Sequence, residues 1–209
     1  MSAAPLERNR LHRGKRQLIL DAAVKVFADK GYHGSRVSDI ASEAGIAYGL
    51  VYHYFKNKEE ILDTIFEEHW SSFLEAVEDI ARTGASTEDK LLSVSALILN
   101  AYRVRESWVK VLVFEIQRSS RFAEPEQLKA VARMFRIVAR ILREGQERGE
   151  LRPDIDPDVA CFVFIGGLDI FLTSRVLRVE GGAPRENEYY LQVARTVVEI
   201  FLRGIGDGG

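Results

Sequence analysis

Cysteine is almost missing from this sequence: Cys161 stands alone among 209 residues. One thiol forms no internal disulfide and builds no thiolate metal site, and inside an apolar run it reads as a small buried hydrophobe. Proline is scarce as well. Its five occurrences (Pro5, Pro125, Pro153, Pro157, Pro184) all fall where a helix pattern stops or starts, so long helices are permitted. No apolar run has membrane-spanning length, and residues 1–14 are polar and basic without the apolar stretch of a secretory signal, so a cytoplasmic protein is expected. Strand signals, repeats and low-complexity segments do not occur. The four histidines (His12, His33, His53, His69) are scattered, and no cysteine or paired carboxylates share ligand spacing with them. With no nucleophile motif and no phosphate-cradling glycine loop either, we expect no enzyme, no metal and no cofactor.

What is present is helix pattern from end to end, in a chain long enough for a small head on a larger bundle. Charge divides it. Residues 1–58 hold ten Lys or Arg against five Asp or Glu, a formal +5, which leaves −7 for the remainder of a chain whose total is −2. A basic head on an acidic body suits a polyanion at one end only, because Lys and Arg that neutralise phosphates release condensed counterions. A merely solvated basic tail would explain Arg8 to Arg16 but not the recurrence of cations at Arg36, Lys56 and Lys58.

Those later cations flank a compact pattern. Val37, Ile40, Ala41 and Ala44 share one helix face at i, i+3, i+4 and i+7; Gly45 follows, able to take positive φ without a Cβ clash, and Ile46 plugs the corner before a second short helix. This is the grammar of a helix-turn-helix. The spacing predicts a first helix over roughly Lys15 to Lys30, ended by Gly31 and Gly34, and a long helix from about Lys58 toward Arg82. Further helices are placed near 87–105, 107–119 and 125–148. A nearly all-apolar one starts at Asp156-Pro157, and a striped one covers about Arg185 to Leu202. The fold class expected is all-α with about nine helices, divided into a DNA-binding domain over 1–58 and an effector and dimerisation domain over 59–209.

The N-terminal sixty residues resemble the DNA-binding head of the tetracycline-repressor family of bacterial transcription regulators. The likeness rests on Leu18-Ile19-Leu20-Asp21-Ala22-Ala23, Phe27-Ala28-Asp29-Lys30-Gly31-Tyr32, Val37-Ser38-Asp39-Ile40-Ala41, Ala44-Gly45-Ile46, Gly49 and Tyr52-His53-Tyr54-Phe55-Lys56-Asn57-Lys58-Glu59. It implies a homodimer on double-stranded, palindromic operator DNA, with the short third helix in the major groove and an all-helical body that holds an effector. Carried over position by position, it places Ala47, Tyr48, Gly49, Tyr52 and His53 on or near the groove-facing surface, and gives phosphate roles to Ser35, Arg36, Ser38, Tyr54 and Lys58. Phe55 reads as core. Two positions depart from the family pattern. Ala47 stands where many relatives cap the helix with Ser or Thr, a loss of about 0.5 to 2 kcal/mol, and Tyr48 stands where many carry Lys.

Beyond Arg82 the sequence offers chemistry for a ligand. Leu97, Ile98, Tyr102, Trp108, Leu112, Phe114, Phe135, Val138, Phe164, Leu168 and Phe171 supply the walls of an apolar tunnel or ordinary core. Arg105, Arg118 and nearby cations supply a place for an anionic head. Phe114-Glu115-Ile116-Gln117-Arg118-Ser119-Ser120 is similar to the subgroup that represses fatty-acid degradation genes, which implies a long-chain acyl-CoA as effector. A flat hydrophobic cation held near Glu115, as in multidrug-type repressors, is the alternative ligand; an acyl-CoA-binding protein or enzyme without a DNA role is the alternative class. The all-apolar helix beside the last, striped one reads as a subunit interface, with Phe162, Gly166, Ile170, Tyr190, Ala194, Val197, Val198 and Phe201 as its candidates, or as core.

Overall fold

The computed structural model describes residues 4–118, 125–179 and 186–205, which form nine helices and no strand among the described residues. They are α1 (Ala4–Lys30), α2 (Val37–Glu43), α3 (Tyr48–Tyr54), α4 (Lys58–Arg82), α5 (Thr87–Val104), α6 (Glu106–Arg118), α7 (Pro125–Glu147), α8 (Pro157–Val176) and α9 (Asn187–Ile205). The all-α expectation holds, and most boundaries fall within two residues of those read from periodicity. The largest exception is the start of α1, which lies eleven residues earlier than expected, and α9 ends three residues later. Gly14 does not stop it, and Pro5 sits in the first turn, where a missing N–H costs nothing.

Two compact units emerge among the described residues: 4–70 with 110–118, and 71–109 with 125–179 and 186–205. In the first, Ile19, Ala22, Ala23, Val26 and Phe27 of α1 are buried together with Ile40 and Ala41 of α2, Val51 of α3 and Ile61, Leu62 and Ile65 of α4. Leu20 is buried as well, whereas Leu18 is exposed. Backbone geometry fixes the turns. Gly31 (φ 71°) ends α1 by donating to Phe27 O at 3.0 Å, and Gly45 (φ 64°) lets Ile46 N reach back to Ala41 O at 3.0 Å, closing α2.

In the second unit α5 pairs with α9 and α7 with α8, while α5 also touches α7 and α8. Its core holds Leu91, Val94, Leu99, Val138, Ile141, Phe164, Leu168 and Val198. Ion pairs tie the helix ends. Lys90, 2% exposed, donates to Ala81 O at 2.8 Å and to Glu144 Oε2 at 3.2 Å, which gives a buried ammonium the partners it requires. Arg140 Nη2 donates to Glu78 Oε1 at 2.7 Å. Glu150 Oε2 accepts from Thr87 N at 2.7 Å, and Arg148 bonds both Glu150 (2.6 Å) and Thr87 Oγ1 (3.0 Å). A Cβ at Gly145 would lie 2.3 Å from Thr87 Oγ1, so only glycine lets α7 pass α5 this closely.

Candidate nucleic-acid interface

The segment from Gly31 to Lys58 is held by short polar contacts that leave one face of α3 outward. Asp39 receives two of them: its Oδ2 accepts the Arg36 backbone N–H at 2.8 Å, tying down the start of α2, and its Oδ1 accepts Lys30 Nζ at 2.8 Å. The Lys30 hydrogen bond and then the Arg36 N–H hold the Asp39 carboxyl below its ordinary pKa. Lys25 pairs with Glu43 at 3.1 Å across α1 and α2. At the other end Asn57 Oδ1 accepts Glu60 N (2.8 Å) and the Glu60 carboxylate accepts Lys56 N (2.6 Å), which caps α4.

On α3, Val51 (1% exposed) and Phe55 just past its end (3%) point inward, as expected of core residues. Arg16 lies over the Phe55 ring at 5.5 Å and pairs with Glu68 at 2.5 Å. Ala47, Tyr48, Gly49, Tyr52 and His53 are all exposed, and Tyr54 is half-buried with its ring edge-on to His53 at 5.3 Å. Arg36 and Ser38 are exposed at the start of α2. The structure therefore gathers seven of the ten predicted DNA-facing residues as solvent-facing positions on α2 and α3. Tyr48 and Tyr52 are joined: their hydroxyls are 3.0 Å apart and their rings meet edge-on, centroids 5.2 Å apart at 72°. The hydrogen bond shared with Tyr48, and then desolvation, raise the Tyr52 pKa above the usual phenol value. Ala47 caps α3 through its backbone alone, its carbonyl accepting Leu50 N at 2.9 Å with no side-chain bond, as its identity requires.

Two expected phosphate ligands are placed differently. Ser35 is 3% exposed and donates its hydroxyl to Tyr32 O at 2.7 Å. Lys58 is half-buried, its ammonium donating to Tyr32 O (2.5 Å) and Ser35 O (2.8 Å) and lying 4.3 Å from the Tyr32 ring centroid. Both satisfy carbonyls left open by the turn after α1, so they hold the turn that orients α2 rather than face outward.

Of the residues offered for a ligand, Tyr102, Trp108, Val138, Phe164 and Leu168 are buried, Leu97, Ile98, Leu112, Phe135 and Phe171 half-buried, and Arg105 exposed at the C-cap of α5. The side chains of Phe114, Glu115 and Arg118 lie outside the described residues. Tyr102 packs edge-on to Tyr190 at 6.2 Å, and Phe164 lies 5.2 Å from Phe201. Burial in the low-polarity interior raises the Tyr102 and Tyr190 hydroxyl pKa values. These contacts also correct the interface reading. Tyr190, Ala194, Val198 and Phe201 are buried within their own chain because the apolar stripe of α9 covers α5 and α8. Val197 is half-buried, whereas Phe162 (59% exposed), Gly166 and Ile170 (66%) face outward. Sequence reasoning missed their neighbours Val159 and Val163 on α8 and Ile200 on α9, all exposed. The all-round apolarity of α8 was the available signal. By length and composition α8 could also cross a bilayer, but nearly half of it is buried inside the unit. No group of three or more His, Cys, Asp or Glu positioned for a metal occurs among the described residues.

Comparison with known proteins accounts for nearly the whole length. Residues 19–65 match the model for bacterial regulatory proteins of the tetR family, and residues 66–182 match the C-terminal region of YsiA-like proteins. The chain is 31% identical over 194 residues to the fatty acid metabolism regulator protein of Bacillus subtilis, covering 92% of this chain and 96% of that one. The fatty acid degradation regulator FadR of Bacillus halodurans superposes with a TM-score of 0.78 at 26% identity, over 91% and 95% of the two chains. FadR of Bacillus subtilis in complex with stearoyl-CoA superposes with a TM-score of 0.73 at 30% identity, over 90% and 98%.

Proposed function

Since the chain belongs to the tetR family of bacterial regulatory proteins, we propose that it is a transcription repressor released from a palindromic operator by a long-chain acyl-CoA. It is a transcription regulator and not an enzyme, as are the relatives it matches. The observation that carries the effector is the likeness, at 30% identity over 90% of this chain, to a regulator solved with stearoyl-CoA.

In this reading residues 1–58 form the DNA-binding domain and 59–209 the effector and dimerisation domain. Tyr48, Gly49, Tyr52 and His53 meet the groove, Arg36, Ser38 and Tyr54 meet phosphates, and Ser35 and Lys58 act one step back by fixing the turn. The acyl chain lies among the half-buried apolar side chains Leu97, Ile98, Phe135 and Phe171. Exposed Arg105, with Arg103, Lys129 and Arg133, meets the CoA phosphates in charge-assisted contacts. Regulators of this family bind operator DNA as dimers, and we assign the dimer face to Val159, Phe162, Val163, Gly166, Ile170 and Ile200. The protein acts in the cytoplasm, where operator and acyl-CoA meet.

Release follows from differential binding: an effector that favours a head spacing unfit for successive major grooves lowers operator affinity by the ratio of its affinities for the two states. A coupling typical of such regulators corresponds to about a 5- to 150-fold loss. Fluorescence anisotropy of the protein on a duplex from its own upstream DNA tests this. Stearoyl-CoA should release the duplex within that range while CoA alone, free stearate and flat cationic dyes leave it bound. Release by dyes alone would transfer the protein to the multidrug-type reading, and release by none would remove the effector assignment.

A further inference from the structure

We propose that Tyr48 and Tyr52 act as one composite reading head that selects adenine in the major groove. The proposal rests on the operator-binding reading above and adds to it a base preference. α3 reads Tyr-Gly-Leu-Val-Tyr-His-Tyr and so contains no Arg or Lys to fork onto guanine and no Asn or Gln to pair with adenine. Its outward polar groups are hydroxyls and one imidazole. Base discrimination by this helix must therefore come from groups that ordinarily discriminate poorly when they act singly.

Joined, the two hydroxyls discriminate well. Each phenol owns one hydrogen and two acceptor lone pairs. Across the 3.0 Å contact either oxygen can be the donor. Whichever one donates is left with lone pairs to offer outward, while its partner keeps its own hydrogen to give. The pair thus presents one acceptor and one donor side by side, at the separation of a hydrogen bond. Adenine offers the complement on its major-groove edge, the N7 acceptor beside the N6 amino donor, about 3 Å apart. A closed ring of hydrogen bonds results: N6–H to one oxygen, that hydroxyl to the other, and the second hydroxyl to N7. Guanine presents two acceptors, N7 and O6, and can be met twice only if the pair breaks its internal bond. Cytosine sets its N4 donor beside the O6 acceptor of the guanine it pairs with, a rival edge split over two bases that the single-base variants and 7-deazaadenine distinguish from the edge of adenine, and thymine offers an acceptor beside a methyl.

Placement and order favour this use. Tyr48 and Tyr52 are 53% and 45% exposed and stand at i and i+4, on one helix face. Tyr48 occupies the first position of α3, the end from which reading helices address base edges. Between them Gly49 has open space where a Cβ would be. Their edge-on packing fixes both rings before contact, so little side-chain freedom remains to be lost on binding.

Selection from a randomised duplex library with the full-length protein, followed by anisotropy on single-base variants at constant salt, tests the proposal. Expected is one symmetric position per half-site where adenine is preferred over guanine by about 5- to 150-fold. Tyr48→Phe and Tyr52→Phe each keep the ring but should reduce that preference to near unity, and the double variant should lose no more than either single one. 7-Deazaadenine at that position should weaken the wild-type protein by a similar factor and leave Tyr52→Phe unaffected. Retained adenine preference in Tyr48→Phe, additive losses, or guanine at every selected purine would overturn the composite head while leaving operator binding intact. Enrichment of no sequence at all would overturn both.

Discussion

The large nonpolar side chains exposed on α3 end in hydroxyls, whereas those exposed on α8 are bare hydrocarbon. Tyr48 and Tyr52 cover a face with polar tips; Val159, Phe162, Val163 and Ile170 cover one without any. An aromatic body with a polar tip suits a wet, hydrogen-bonding partner such as a DNA groove, and a mostly apolar face suits a dry one such as a second copy of the same helix. The starts of the two helices differ in the same direction. α8 begins at Asp156, whose Oδ1 accepts Asp158 N at 2.8 Å, with Pro157 pre-set in the first turn; α3 begins at Ala47 with no side-chain cap. α3 takes its order from neighbours, and α8 carries much of its own.

Breaking the dry face should have the largest consequence. A charge at its centre, Phe162→Asp with Ile170→Asp, should give monomers in sedimentation velocity and lower operator affinity about 100- to 10,000-fold through loss of the second half-site. A dimer that survives both charges would remove α8 from the interface. On the wet face, Arg36→Ala should weaken all duplexes by a similar factor, about tenfold, and reduce the log-log salt slope by about one, without altering base preference. A sequence-dependent loss would assign Arg36 to base reading instead.

A smaller effect isolates the bundle from both faces. The Arg148 hydrogen bond, then the Thr87 contacts, hold the Glu150 carboxyl down to about 2 from an ordinary 4.5. A depressed carboxylate stabilises the fold above its unfolded value and loses that contribution as pH falls from about 4.5 to 2. With the Glu150 side chain still 32% exposed, screening reduces the gain to about 1 kcal/mol. Urea unfolding of Glu150→Gln should show that loss at pH 7 and little difference from wild type at pH 2. An equal deficit at both would mean packing rather than charge. Smallest of all, Ala47→Ser should restore a cap to α3 and stabilise the head by about 0.5 to 1 kcal/mol, read by amide exchange within 48–54. No change there would mean that neighbours already fix the helix start.

Much of this was legible in the chain itself. Gly31, Gly45 and Pro157 announce helix ends because backbone freedom or its lack is a property of the residue alone. The outward face of α3 follows from the i, i+4 spacing of Tyr48 and Tyr52. The turn-holding contacts of Ser35 and Lys58 are not legible in the sequence, because their partners are the Tyr32 and Ser35 carbonyls and backbone acceptors carry no mark there. The stripe Tyr190, Ala194, Val198, Phe201 was equally ambiguous: periodicity says that a face is covered, not whether the cover comes from the same chain. The ties among Glu78, Thr87, Lys90, Arg140, Glu144, Arg148 and Glu150 join residues mostly more than fifty positions apart, beyond any local pattern.

Nothing lies within 4 Å of where a Gly49 Cβ would stand. The unbound molecule has steric slack at this position, so a methyl there should leave sedimentation unchanged and, by restricting the unfolded chain, stabilise the head by about 0.5 to 1 kcal/mol. A loss, as opposed to that gain, will be registered only once a second surface presses against α3, which makes this small residue a reporter of contact itself.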